Sequence, residues 1–328
     1  SEYFYASRQA ITAATFWMHN DIIEILHLLR LPHRFGRSLL YELLGLHVNQ
    51  KYEAATDDSN TYTSIDDVLR DEDLVRYLSG KLDAIKLYSK NQYDLLCQYL
   101  GITKTIQEIV LVDIGWRGSM QKALEEVIHS INSTIVVSGY YVGFSKAGLK
   151  AYGMEGRHGY LFNGYIDSDK IDEERLFGFG GLFEILFMAD HGSVQKYANT
   201  EYGVEPICHT CEYATDYQKI REIQEGAAKF VIDAKSSVVF SDFIKNRPYI
   251  MFEKMGKVGC YPSRREIHNL GKIKILDGSE RSLVEEIKLF PIKRFLNGLM
   301  NSGWKVAFIK KTWQILPGFR LYKIGKNK

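Results

Sequence analysis

Residues 109–119 read Ile-Val-Leu-Val-Asp-Ile-Gly-Trp-Arg-Gly-Ser, and this stretch constrains the fold more tightly than any other in the chain. Four consecutive apolar residues at 109–112 are the pattern of a strand covered on both faces, as in parallel sheets. Asp113 then ends the strand, Gly115 and Gly118 permit a tight turn with close backbone approach, and residues 120–131 carry the period of a helix. A second run at 135–144, rich in β-branched and aromatic residues, supplies the next buried strand. Strand, helix and strand in this order make a βαβ unit, which pairs its strands in parallel through a right-handed crossover. The expected fold is α/β: a Rossmann-like parallel sheet with a βαβ unit at 109–144, a largely helical N-terminal half and helical C-terminal additions.

The remaining pattern is mostly helical. Residues 3–6 read as a short strand. Residues 9–31 follow as a helix stopped by Pro32, with further helices at 38–44, 65–78, 81–100 and 213–235. Residues 49–64 form a polar loop, and 145–175 read as loops with one short strand near Tyr160. Residues 176–189 are apolar around Glu184. A chain of 328 residues suits one large domain or two small ones. The expectation is a single module over 1–328, with a helical insertion at 17–105, a βαβ core at 106–200 and a helical part at 213–328. Ser1-Glu2-Tyr3-Phe4-Tyr5-Ala6 opens as if already inside a strand, so the chain reads as a piece of a longer protein.

Composition excludes several classes. A net charge of +2 is not that of a nucleic-acid binder. Four cysteines in this length make no disulfide framework, which points to a reduced, cytoplasmic protein. No run approaches the roughly 18 apolar residues of a membrane helix, and no signal peptide is seen. Residues 291–328 hold Lys293, Arg294, Lys305, Lys310, Lys311, Arg320, Lys323, Lys326 and Lys328 without one acid, interleaved with Trp304, Phe308, Trp313 and Phe319. Peripheral contact with the inner face of the cytoplasmic membrane or with a lipid-linked acceptor is one reading. A solvated basic face with its aromatics in the core is preferred.

The chemistry gathers on residues 113–119. Asp113 stands at the carboxyl end of a strand, where open α/β sheets bind ligands. Ser119 is the expected cap of the following helix, whose first-turn N–H groups attract phosphate. A binding role is preferred to a plain turn in which Asp113 satisfies nearby amides. Other candidates are weaker alone. Arg8 offers a guanidinium fork for phosphate, although a surface arginine is the commoner case. Glu184, in an otherwise apolar run, is either buried with a partner or lines a cleft. His191, beside Gly192, is a candidate acid or base and equally a loop histidine without a role. Cys208-His209-Thr210-Cys211 has CxxC spacing but lacks the second pair that a structural zinc site needs. No metal ligand set is assigned.

These residues resemble a known family. Tyr3-Phe4-Tyr5-Ala6-Ser7-Arg8, the block from Leu111 to Gln121, Gly139-Tyr140-Tyr141-Val142-Gly143, Glu184 with His191-Gly192-Ser193, and Gly303-Trp304 occur in the order seen in the C-terminal module of large bacterial surface-polysaccharide proteins. Those proteins often carry an N-terminal haloacid-dehalogenase-type phosphatase module and are commonly labelled predicted hydrolases. In the ribofuranosyltransferase members, the C-terminal module is a glycan phosphoribosyltransferase. The resemblance implies transfer of 5-phosphoribosyl from phosphoribosyl diphosphate to a glycan or lipid-linked glycan in O-antigen or capsule biosynthesis. A fused or separate phosphatase then removes the 5-phosphate. It implies Arg8, Gly115, Trp116, Arg117, Gly118, Ser119 and Gln121 on the donor, Asp113, Glu184 and His191 in catalysis, and Mg²⁺ carried on the diphosphate. The aspartate pattern of the phosphatase is not found in this sequence, which leaves transfer as the implied activity. Two alternatives stay open: a nucleotide-sugar glycosyltransferase of the same pathway, and an acceptor-binding module without turnover.

Overall fold

The computed structural model describes residues 2–32, 34–46, 61–102, 105–164, 175–176, 178–209, 216–237, 240, 248–276, 280–286 and 292–313. In chain order the elements are α1 (Arg8–Ala13), a 3-10 turn (Phe16–Met18), α2 (Ile22–Leu28), α3 (Arg37–Leu43), α4 (Ile65–Arg70), α5 (Glu72–Gly80) and α6 (Leu82–Leu100). The βαβ region follows as β1 (Glu108–Asp113), α7 (Ser119–Ile131), β2 (Val136–Tyr141), α8 (Lys146–Tyr152) and β3 (Arg157–Gly159). Then come α9 (Gly180–Glu184), a second 3-10 turn (Ile185–Phe187), β4 (Val194–Thr200), β5 (Gly203–Cys208), α10 (Tyr217–Lys235), α11 (Pro248–Cys260) and α12 (Arg264–Leu270). The last are β6 (Lys274–Leu276), β7 (Glu280–Ser282), α13 (Ile292–Asn301) and α14 (Lys305–Trp313). The chain is mixed α/β, with a three-stranded parallel sheet in the order β1-β2-β3 and α7 as the crossover, the Rossmann-like form expected. β4–β5 and β6–β7 are separate antiparallel hairpins.

The chain divides into two compact units that interleave along the sequence. The first contains residues 1–111, 118–139 and 191–210; the second contains 112–117, 140–190 and 211–328. Among the described residues two apolar cores fill the first unit. One, built from the helices before residue 90, centres on Phe16, Ile25, Leu26, Leu40, Leu44 and Ile85. The other joins α1, α6 and α7 to β2 and β4 through Ile11, Leu96, Leu124, Ile128, Val137 and Tyr197. Among the described residues the second unit has one core, including Phe179, Phe252, Trp304 and Phe308. The indole Nε1–H of Trp304 donates to Gly259 O at 2.7 Å. The aromatics Trp304 and Phe308 of the basic stretch are therefore core residues, as preferred. Phe319, Arg320, Lys323, Lys326 and Lys328 lie outside the described residues. No helix among the described residues is long and apolar enough to cross a membrane.

Local chemistry explains where the elements break. The single helix expected at 9–31 is α1, a 3-10 turn and α2. Asp21 restarts the helix by accepting from Glu24 N–H, and Glu24 reaches back to Asn20 N–H, two orphan amides satisfied at one N-terminus. Asp71 likewise caps α5 through Leu74 N–H and divides the helix expected over 65–78. Residues 3–6 form no strand. Ring contacts hold them instead: Phe4 stacks on Tyr99, and Tyr5 packs on His191.

The expectation that residues 109–112 are covered on both faces is corrected. β1 alternates, with Glu108, Val110 and Val112 outward and Val112 87% exposed, while Ile109 and Leu111 pack on the core. In β2, Val136 and Tyr140 are exposed and the other four residues are buried. The apolar run reflects β propensity and cross-strand pairing of β-branched residues as much as burial.

Candidate functional site

The turn at residues 113–117 is built on its own acid. Asp113 Oδ1 accepts Gly115 N–H at 2.8 Å, an Asx turn that closes the chain at the end of β1. A Cβ on Gly115 would come within 2.8 Å of Asp113 Oδ2 and push the carboxylate aside, so glycine here leaves that oxygen its place. The half-buried Asp113 thus meets the local amide foreseen in the plainer reading, and its carboxylate is fixed in orientation by that bond. Trp116 anchors the far side of the turn. Its ring stacks on Phe162 at 6.0 Å and meets Phe183 at 5.7 Å, and its carbonyl accepts Ser145 N–H at 2.8 Å. Arg117 is exposed.

Glu184 lies in the same unit and ends α9. It is half-buried, and Phe183, its neighbour in sequence, is the residue that touches Trp116. The second unit therefore packs Trp116, three residues after Asp113, against the α9 segment that carries Glu184.

In the first unit, α7 begins differently from expectation. Gly118, not Ser119, is the N-cap: it has φ 72°, the left-handed region that favours glycine, and no side chain caps the helix. Ser119 is the first helical residue. A serine cap needs extended backbone at its own position, and the turn places a left-handed residue immediately before Ser119 instead. Gly118 therefore offers the first turn of α7 no side-chain cap, which is the local condition for anion binding at a helix start. Gln121 is not turned toward such a ligand. It is 1% exposed, and its amide donates to Glu125 Oε1 at 2.8 Å and to Val137 O at 3.0 Å, tying α7 to β2. Arg8 opens α1, whose cap is Ser7, and α1 packs on α7.

His191 also belongs to the first unit. Its Nδ1 lies 2.8 Å from Gly192 O, which can only accept, so Nδ1 carries the proton and Nε2 accepts from Tyr3 O–H at 3.0 Å. The rings of Tyr3 and Tyr5 flank it. Cys208 Sγ is 3.8 Å from Nδ1, and burial pushes the Cys208 thiol up, so it stays protonated. Cys211, the other half of the CxxC pair, lies outside the described residues. Among the described residues no group of three or more His, Cys, Asp or Glu is arranged to hold a metal ion.

Ser145 falls in a stretch whose composition reads as loop, yet it joins the turn to α8. It is 1% exposed and caps α8 through Gly148 N–H. A serine directly before Lys-Ala-Gly-Leu-Lys-Ala is a helix-start signal, masked by the glycines and tyrosines around it. No family model matches the chain, and no curated protein matches it.

Proposed function

We propose that the chain is a glycan phosphoribosyltransferase that moves 5-phosphoribosyl from phosphoribosyl diphosphate to a sugar hydroxyl of a surface glycan. The observation that carries this reading is the βα junction at 113–119. An oriented acid at a strand end is followed within one turn by a helix whose first amides have no side-chain cap. In this reading the α7 start holds a donor phosphate, and Arg8 and Arg117 offset charge on the departing diphosphate. Asp113 holds the ribose hydroxyls and steadies the positive charge that develops on the ring. Mg²⁺ would arrive on the diphosphate. A donor-borne Mg²⁺ keeps several waters and takes about one or two protein carboxylates, a demand that Asp113 fits.

The acceptor oxygen forms a bond to ribose C1, the C1–O bond to diphosphate breaks, and diphosphate leaves with the electron pair. Glu184 takes the hydroxyl proton. It is favoured over His191 because it shares a unit with Asp113. A phosphatase, fused or separate, would remove the 5-phosphate. Contact of the basic C-terminal stretch with the inner membrane face belongs to the same reading, since lipid-linked acceptors reside there.

The test is Asp113→Asn, which keeps an acceptor for Gly115 N–H and removes the charge. Transfer from phosphoribosyl diphosphate should fall by about 100-fold or more, the scale of losing one aimed electrostatic group. An unchanged rate would remove Asp113 from the reaction. Because the Asx turn already occupies Asp113, a module that binds acceptor without turnover is a second reading; release of diphosphate by the isolated chain decides against it. A nucleotide-sugar donor would be favoured by heat protection from a nucleotide sugar and none from phosphoribosyl diphosphate.

A further inference from the structure

The first unit contains a cavity of about 310 Å³ that has no part in the donor chemistry, lined by Gln9, Ser38, Glu42, Gly45, Leu46, Tyr88, Gln195 and Lys196. We infer that this cleft is a saccharide-binding subsite, in which Gln9, Glu42, Tyr88, Gln195 and Lys196 hold the hydroxyls of one neutral sugar ring. The volume lies at the small end of the range of about 300–1,000 Å³ usual for small-molecule sites. As in most such sites the exposed lining is mainly apolar, with a few polar side chains set around it.

Four elements converge to make that lining. Gln9 comes from α1. Ser38 and Glu42 come from α3, four residues apart and so on one helical face. Tyr88 comes from α6, and Gln195 with Lys196 from β4. Consecutive strand residues normally point to opposite faces. Here the β4–β5 pairing slips between Val194 and Lys196, and the bulge lets Gln195 and Lys196 both face the cavity. Bulges re-aim side chains in this way and are over-represented beside functional sites. The re-aimed Gln195 donates to Glu42 Oε1 at 3.1 Å, which fixes that carboxylate at the rim.

Tyr88 is set as firmly. Gly45, at φ 70°, lies so close that a Cβ there would meet the Tyr88 ring at 2.2 Å, so the chain leaving α3 pins the ring. Burial, then the charge of Glu42, raises the phenol above its ordinary range; it remains a hydrogen-bond donor. Among the described residues the side chains of Gln9, Ser38, Tyr88 and Lys196 have no hydrogen-bond or ion-pair partner. The charges of Glu42 and Lys196 cancel, which suits a neutral ligand. Two amides, a hydroxyl, a phenol and a carboxylate match the mixed donor and acceptor character of sugar hydroxyls. Leu46 and the Tyr88 ring offer an apolar surface for the C–H face. The subsite rests on the first unit alone and would stand if the donor reading failed.

Saturation-transfer NMR on the whole chain tests it, with no donor present. The probes are the methyl pyranosides of glucose, galactose, mannose and N-acetylglucosamine, one at a time, with free serine as a zwitterionic comparison. At least one pyranoside should bind, with Kd raised about tenfold or more in Gln195→Ala and in Glu42→Gln, and unchanged in Asp113→Asn. Both cleft variants alter exposed or half-exposed side chains, and an unchanged melting temperature verifies their fold. Absence of binding by all four pyranosides, equal affinity in both cleft variants, loss of binding in Asp113→Asn, or a preference for serine would each overturn the assignment. Sugar binding that survives in a transfer-dead Asp113→Asn separates this subsite from the donor site.

Discussion

Asp113 and Gly115 are one device at the scale of the residue. The carboxylate accepts the Gly115 amide at 2.8 Å, and the absent Cβ of Gly115 leaves room for its second oxygen. Gly115→Ala is therefore expected to displace the carboxylate and to lower transfer as Asp113→Asn does. The melting temperature should change by less than about 4 °C, because the turn is not part of the buried core. A transfer assay beside a thermal melt reads both. A second device lies in the first unit: Arg37 Nε donates to the Tyr62 hydroxyl at 2.9 Å, and Tyr62 O–H and Arg37 Nη2 each donate to Asp71 Oδ2 at 2.6 Å. The Tyr62 bond first, then Arg37 and the Leu74 amide, hold the Asp71 carboxyl down to about 2. Its unfolded value is near 3.9, so the folded value is depressed. The stabilisation is full above about pH 4 and is lost as pH falls toward 2. Asp71→Asn should cost about 1–2 kcal/mol at pH 7 and flatten the acid limb of stability against pH, measured by denaturant melts between pH 2 and 7. None of these pairings was legible in the sequence, since Arg37, Tyr62 and Asp71 are brought together by helix packing and not by spacing.

At the scale of the element, legibility follows period. α7 and the strands beside it were readable because apolar runs and a helical period occur in order, and the structure keeps that order. The outward face of β1 was not readable, because Val serves an exposed strand face as well as a buried one. Val112→Thr should therefore shift stability by no more than about 0.5 kcal/mol. Leu124→Ala, at 1% exposure on α7, should cost about 2–5 kcal/mol; chemical denaturation of the two variants compares them. The β4–β5 hairpin had no sequence signature at all. Its strands interrupt Val194, Tyr197, Val204 and Ile207 with Gln195, Lys196, Asn199 and Glu205, and the bulge places the buried residues Val194 and Tyr197 three apart, which is neither the period of a strand nor a sustained helical one. The same bulge creates the Gln195–Lys196 edge of the cleft, so the element hardest to read from sequence is the one that carries the proposed sugar site.

At the scale of the whole molecule, the two units share no core, and the division between them falls inside the motif, between Arg117 and Gly118. Asp113 through Arg117 are fixed by the second unit's Trp116, Phe162 and Ser145; Gly118 onward are fixed by the first unit's packing of α1 on α7. By sequence, 113–119 is one feature with Ser119 as the expected helix cap. The structure gives the cap position to Gly118, which has no side chain to cap α7, and it commits the Gln121 amide to Glu125 and Val137. The most direct measurement is the backbone amide NMR spectrum of the chain titrated with phosphoribosyl diphosphate and Mg²⁺. The account predicts that the largest shifts fall on the amides of Gly118, Ser119 and Met120 and shrink when Asp113→Asn is titrated. Shifts concentrated elsewhere, with these three amides unmoved, would contradict it.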